Sequence, residues 1–185
     1  MGTKKEIRTH LLKQRAELPL SVCERQSEEV LKKLLAHPAY AECRTLFSYV
    51  SFRNEVDTHK IIMLALAQGK QVAVPRVEGK DMMFYRIFSL EELTRSRFGI
   101  LEPKDGAHRV IPGEGDLMLV PAAAFDGKGY RIGYGGGYYD RYLAEYPQLY
   151  TIGLAFDFQM LDEVPREEFD LAVKEVLYPD GRILT

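Results

Sequence analysis

The sequence predicts one α/β domain over residues 1–185, built as three α/β/α layers around a mostly parallel sheet. Three observations predict it. Residues 45–75 read as strand, helix and continuous apolar strand, and a βαβ unit of that kind makes a parallel pair. Residues 117–121 (LMLVP) form a second continuous apolar run, the pattern of a strand buried on both faces. No repeat and no linker rich in Ser, Gly or Pro divides the 185 residues, which are enough to bury a sizeable core. The expected layering is Rossmann-like.

The elements follow in order. Thr3 and Glu6 make a T-x-x-E capping box that starts a helix near Lys4, and Pro19 ends it. Ile7, Leu11 and Leu18 should face the core. Ser21 and Glu24 read as a second capping box, opening a helix that carries Val30, Leu31, Leu34 and Leu35 and stops before Pro38. Residues 45–52 (TLFSYVSF) are aromatic and β-branched, and predict the first strand. After a polar loop at 53–55, Asp57 or Thr58 is placed to cap a helix through Ile61, Ile62, Leu64 and Leu66, with Gly69 ending it in a left-handed conformation. Residues 71–75 and 82–87 are further strands, and Ser89 with Glu92 caps a short helix. A glycine-rich loop follows 117–121 and leads into a helix near Gly137; residues 150–156 make another strand. Residues 176–178 and 182–184 flank Pro179-Asp180-Gly181, which predicts a hairpin.

Composition narrows the function classes. Hydrophobic residues at 46% and charged residues at 28% suit a folded soluble chain. No run approaches the roughly 20 apolar residues of a membrane helix, and the charged N-terminus lacks a signal-peptide core. Glu6 stands where a myristoylation pattern needs Ser or Thr. The only cysteines, Cys23 and Cys43, form no C-x-x-C pair, which favours a reducing cytoplasm. The four histidines are scattered and match no zinc spacing. A net charge of −2 offers no general field for nucleic acid. The first fifteen residues differ: Lys4, Lys5, Arg8, Lys13 and Arg15 face Glu6 alone, a local charge of +4 that suits a phosphorylated small ligand.

The stretch 125–141, FDGKGYRIGYGGGYYDR, holds six glycines: 127, 129, 133, 135, 136 and 137. It follows an apolar strand and precedes a helix, where open α/β sheets bind ligands. Glycines let backbone N–H groups converge on phosphate oxygens. Neither G-x-x-x-x-G-K-[ST] nor G-x-G-x-x-G is present, so a glycine cluster alone is equally a flexible connection. Neighbours add chemistry. Arg131 offers a planar fork of donors to phosphate. Asp140 can hold magnesium against phosphates or simply complement the helix dipole. Tyr138 and Tyr139 can stack on a flat ligand or pack in the core.

Residues 121–143, PAAAFDGKGYRIGYGGGYYDRYL, closely resemble the signature of the 5-formyltetrahydrofolate cyclo-ligase family, also called methenyltetrahydrofolate synthetases. The resemblance extends to the basic first helix, to Asn54-Glu55-Val56 and to the ending FDLAVKEVLYPDG. It implies a three-layer α/β fold, ATP with Mg2+, and a reduced folate as substrate. It implies that Lys4 and Arg8 contact ATP phosphates; their i, i+4 spacing puts them on one helix face, which is otherwise a solvated basic face. It places Arg131, Ile132, Gly133, Tyr134, Gly135, Gly136, Gly137, Tyr138 and Tyr139 around ATP, with Arg131 catalytic. Val50, Glu55 and Tyr139 become substrate positions, and Asp140 and Asp170 magnesium ligands. A carboxylate such as Glu55 suits a pterin, which presents neighbouring N–H donors. One departure stands out: some relatives have lysine where this chain has Gly136. Arg131, Lys128 or the first helix is then left to supply that charge.

The implied reaction activates a poor leaving group. The formyl oxygen attacks the γ-phosphorus of ATP, N10 attacks the resulting iminium phosphate, and phosphate departs. No G-x-S-x-G elbow or evident Cys–His pair suggests covalent catalysis. The expected partners are small molecules, with no nucleic acid and no membrane, on a monomer or weak homodimer. Two alternatives differ in turnover. A sugar-phosphate isomerase or acyl-CoA transferase on a similar fold would keep the phosphate loop without consuming ATP. A non-catalytic nucleotide- or folate-binding module would bind without forming ADP.

Overall fold

A computed structural model describes residues 2–97 and 99–184 of the chain. Helix α1 (Lys4–Ala16) is capped as its sequence demands: the Thr3 hydroxyl accepts from the Glu6 N–H, and the Glu6 carboxylate accepts from the Thr3 N–H at 2.8 Å. Helix α2 (Leu20–Leu35) departs from expectation. Its cap is Pro19, with φ −58°, and Ser21 lies inside the first turn, so the Ser21–Glu24 box does not form. The ring of Pro19 already holds φ near the helical value and sets the start earlier. A short helix, α3 (Pro38–Glu42), follows.

Strand β1 (Thr45–Phe47), helix α4 (His59–Ala67) and strand β2 (Gln71–Glu78) form the expected βαβ unit, with β1 and β2 parallel. The strand expected over 45–52 ends early. Beyond Phe47 only the Ser48 N–H still reaches across, to Ala73 O at 2.9 Å. The chain then turns into a loop whose polar groups need partners of their own. Thr58 supplies them: its hydroxyl donates to Tyr49 O (2.7 Å) and accepts from Ser51 N–H (2.8 Å). Thr58 is therefore the cap residue of α4 without a side-chain cap, while Asp57 Oδ1 takes the His59 N–H at 2.9 Å. Gly69 closes α4 with φ +78°, as expected.

Strand β3 (Asp81–Ile87) returns antiparallel to β2. A 3-10 turn capped by Ser89 leads to the ribbon β4 (Leu93–Arg95) and β5 (Leu101–Pro103), then to β6 (Arg109–Val110). After β7 (Leu117–Val120), the glycine-rich stretch contains structure absent from the sequence reading: β8 (Ala124–Asp126) and β9 (Arg131–Ile132) form a hairpin. Helix α5 (Tyr138–Glu145), β10 (Tyr150–Leu154) and β11 (Met160–Leu161) follow, with β11 alongside β8. β12 (Glu175–Tyr178) and β13 (Gly181–Leu184) make the terminal hairpin.

The main sheet has the order β13-β12-β10-β7-β1-β2-β3-β6. The five strands from β12 to β2 are mutually parallel, and β13, β3 and β6 each pair antiparallel with the strand before them in the sheet's outward order. Alternate residues divide between the two faces. Leu46, Val72, Val74, Leu117, Leu119 and Leu154 pack under α2 and α4; Phe47, Ala73, Met118, Val120 and Val176 pack under α5. The result is a three-layer α/β domain. Gly153 is required where β10 passes Phe125, because a Cβ there would stand 2.5 Å from that buried ring. Among the described residues, no helix is long and apolar enough to cross a membrane.

Candidate functional site

The strand order reverses at β1. The chain moves from β1 to β2 on one side, then returns to place β7, β10 and β12 on the other. Loops leaving the carboxyl ends of β1 and β7 diverge there and leave a crevice, the usual ligand position in open α/β sheets. The β1 loop carries Glu55. The β7 segment carries the β8–β9 hairpin and the glycine triplet. Helix α1 brings the basic residues of the N-terminus to the same end.

Lys4, Arg8, Leu11 and Arg15 share one face of α1. Leu11 is buried against Ala123, Ala124 and Ile132, which fixes the helix on the three-stranded sheet β11-β8-β9. Lys4 Nζ meets Asp170 Oδ2 at 2.5 Å, and Arg8 Nε donates to Gly133 O at 2.7 Å. Arg15 is 5% exposed and donates to the Tyr134 hydroxyl at 2.8 Å. Arg15 was not among the expected site residues. Its signal was available, since it falls on the Lys4–Arg8–Leu11 stripe.

Glu55 sits where these elements meet. One carboxylate oxygen accepts from the Phe52 N–H at 2.8 Å; the other accepts from the Tyr134 hydroxyl, 3.8 Å from Arg15. Burial pushes the carboxyl above its ordinary value, and Arg15, Tyr134 and the Phe52 amide oppose that. The backbone beside it is strained: Arg53 and Asn54 have φ +50° and +56°. Asn54 is held there by its amide, which donates to Arg15 O at 3.3 Å. A cavity of about 380 Å³ opens beside this loop, lined by Cys23, Ser27, Phe52, Asn54 and Glu55 among others. Burial raises the hydroxyl pKa of Tyr134 and Tyr139, and the Glu55 charge adds to both. Both tyrosines are thus neutral donors near one carboxylate. Val50 lies in the same loop with its side chain buried in the core.

The glycine triplet has a steric explanation. A Cβ on Gly135 would lie 3.2 Å from the Arg8 guanidinium, one on Gly136 only 2.4 Å from the Tyr138 ring, and one on Gly137 2.8 Å from Arg141. Gly135 and Gly137 also have φ +98° and +62°. Two guanidinium groups and an aromatic ring therefore lie directly against bare backbone. Arg131 does not point freely at this loop. It is 5% exposed, donates to Leu171 O at 2.5 Å and pairs with Asp140 Oδ1 at 2.7 Å. Burial pulls its pKa down, and Asp140 opposes that. Ile132 is fully buried, and Tyr138 and Tyr139 pack partly against the core.

Asp140 also accepts from the Leu171 N–H at 3.3 Å, so Asp140 and Asp170 flank one backbone segment. Asp170 Oδ2 accepts from Lys4 and, at 2.7 Å, from the Glu167 N–H. One oxygen of each carboxylate is engaged. Among the described residues, no group of three or more His, Cys, Asp and Glu could hold a metal. Two carboxylates fit a magnesium ion that brings phosphate oxygens and water as its other ligands, rather than one caged by protein.

The family model described as the 5-formyltetrahydrofolate cyclo-ligase family matches residues 1–179. A 5-formyltetrahydrofolate cyclo-ligase of Mus musculus is 35% identical, over 85% of this chain and 84% of its own. One of Haemophilus influenzae is 31% identical over 96% and 99%. The solved structure of Aquifex aeolicus 5,10-methenyltetrahydrofolate synthetase superposes with a TM-score of 0.85 at 33% identity, covering 98% of this chain and 92% of that one.

Proposed function

The chain belongs to the 5-formyltetrahydrofolate cyclo-ligase family, and from that membership we propose that this enzyme, a ligase, converts 5-formyltetrahydrofolate and ATP into 5,10-methenyltetrahydrofolate, ADP and phosphate. One observation supports the reading beyond membership. The glycine triplet, bracketed by Arg8 and Arg141, lies at the same sheet end as the Glu55–Tyr134–Arg15 group. A polyanion and a flat N–H donor can therefore be held side by side.

The chemistry needs the formyl oxygen made into a leaving group. That oxygen attacks the γ-phosphorus, the β–γ bridging oxygen leaves with ADP, and N10 attacks the activated carbon. The C–O bond then breaks, phosphate departs with the former formyl oxygen, and N10 loses its proton. The protein's work is positioning and charge. Glu55 has lone pairs left for two ligand N–H groups, and its fixed partners hold it in place. Tyr134 donates to Glu55, and Tyr139 lies near enough to feel its charge, both as neutral hydroxyls. Arg8 and the N–H groups of 133–137 meet the phosphates. Arg131 serves by holding Asp140, since its two terminal nitrogens already donate to Leu171 O and Asp140 Oδ1. Asp140 and Asp170 would hold magnesium, which neutralises charge on the transferring phosphoryl group.

The substrates on this reading are small molecules, met by a monomer or weak homodimer without nucleic acid or membrane. Two buried free thiols, Cys23 and Cys43, suit a reducing cytoplasm. The direct test mixes purified protein with 5-formyltetrahydrofolate, ATP and magnesium and follows the near-ultraviolet absorbance of the methenyl product. Product that requires all three components is expected. Absorbance that rises without ATP, or ADP formed without folate, would contradict the proposal.

A further inference from the structure

We propose that Lys80 and Arg141 form a second wall of the nucleotide's phosphate site, completing a cradle of which Arg8 is the other side. The inference rests on the reading that this crevice takes ATP. A cavity of about 420 Å³ lies between the tip of the β2–β3 hairpin and the glycine triplet, lined by Gly79, Lys80, Asp81, Gly136, Tyr138 and Arg141. The hairpin tip is tied to the loop: Arg141 Nη2 donates to Lys80 O at 2.7 Å, and its guanidinium lies 5.1 Å from the centre of the Tyr138 ring. Arg141 is thereby fixed against Gly137 before any ligand arrives.

Charge compensation sets these two residues, with Arg8, apart from the other cations of the site. Lys4 is paired with Asp170, Arg15 approaches Glu55, and Arg131 is paired with Asp140. Each of those cations already faces a carboxylate. Among the described residues, neither Lys80 nor Arg141 forms an ion pair; Asp81 contributes the one carboxylate of the lining against their two charges. The loop cannot provide a cation at Gly136 itself, because the Tyr138 ring occupies the space that a Cβ would need. A fixed guanidinium fork, an exposed ammonium and bare glycine backbone suit phosphate oxygens.

Both side chains are exposed, so Lys80→Ala and Arg141→Ala should fold, which unchanged thermal melting would establish. Titration calorimetry with ADP, ATP and adenosine is the test, alongside KM for ATP and for the folate. Each variant should weaken ADP about tenfold or more, the loss of one charge-assisted contact, and raise the ATP KM similarly. Adenosine affinity and folate KM should stay at wild-type values, and Lys80→Arg should restore ADP binding. Variants that bind ADP like wild type would overturn the inference. So would an effect confined to folate KM, which would assign the cations to the folate's carboxylates. Wild-type protein that binds no adenine nucleotide would sink the functional reading itself, a separate outcome.

Discussion

Burial pushes the Glu55 carboxyl above the usual 4.5, against the pull of Arg15, Tyr134 and the Phe52 amide. A carboxyl raised on folding favours the folded state fully below 4.5, and that contribution is lost as pH rises through the folded value. Ionisation of Glu55 in the folded state thus comes at a cost in stability. Folate affinity should fall as pH drops through that raised value, earlier than for an ordinary glutamate. Glu55→Gln should remove the pH dependence and raise folate KM about tenfold or more, with ATP KM little changed. Steady-state kinetics across pH check both; an unchanged folate KM would take Glu55 out of the substrate site. Gly136→Ala tests the loop. Its methyl meets the Tyr138 ring at 2.4 Å, so ring or loop must move. A loss of about tenfold in kcat/KM for ATP is expected with thermal stability nearly intact, since the loop is exposed. At this scale the sequence showed residue types and motif positions. It did not show that Arg131 is committed to Asp140, or that Arg15 is buried beside Glu55. Those pairings depend on contacts across 9 and 40 residues.

Elements were most legible where one local signal stood alone. The Thr3–Glu6 box, the Gly69 stop and the terminal hairpin at Pro179-Asp180 formed as written. Where two local signals competed, the structure chose the stiffer one: Pro19 set the start of α2, and Ser21 was absorbed into its first turn. Strand β1 stopped after Phe47 because the loop beyond has its own hydrogen-bonding scheme through Ser51 and Thr58. The β8–β9 hairpin was masked by glycine content; Arg131–Ile132 is too short to show a period of two. Its packing carries a prediction. Phe125, fully buried on β8, lies against Gly153 of β10, and a methyl at 153 would stand 2.5 Å from the ring. Gly153→Ala should destabilise by about 1–3 kcal/mol through overpacking, measured by urea denaturation. Wild-type stability would show that the two elements can separate freely.

For the molecule as a whole, the parallel centre of the sheet was predictable because its strands are continuous apolar runs. The extra edge strands were only partly so, being short or mixed. The topology then accounts for the position of the site. Reversal of strand order at β1 opens a crevice, and α1, placed across its mouth by Leu11, brings Lys4, Arg8 and Arg15 to it. On the proposed function, nucleotide and folate react directly with each other in that crevice. The most direct test labels the formyl oxygen of 5-formyltetrahydrofolate with oxygen-18 and analyses the released phosphate by mass spectrometry. Phosphorylation of the formyl oxygen requires one labelled oxygen in each phosphate formed with methenyl product. Unlabelled phosphate would mean that ATP is cleaved by water, and would contradict the account.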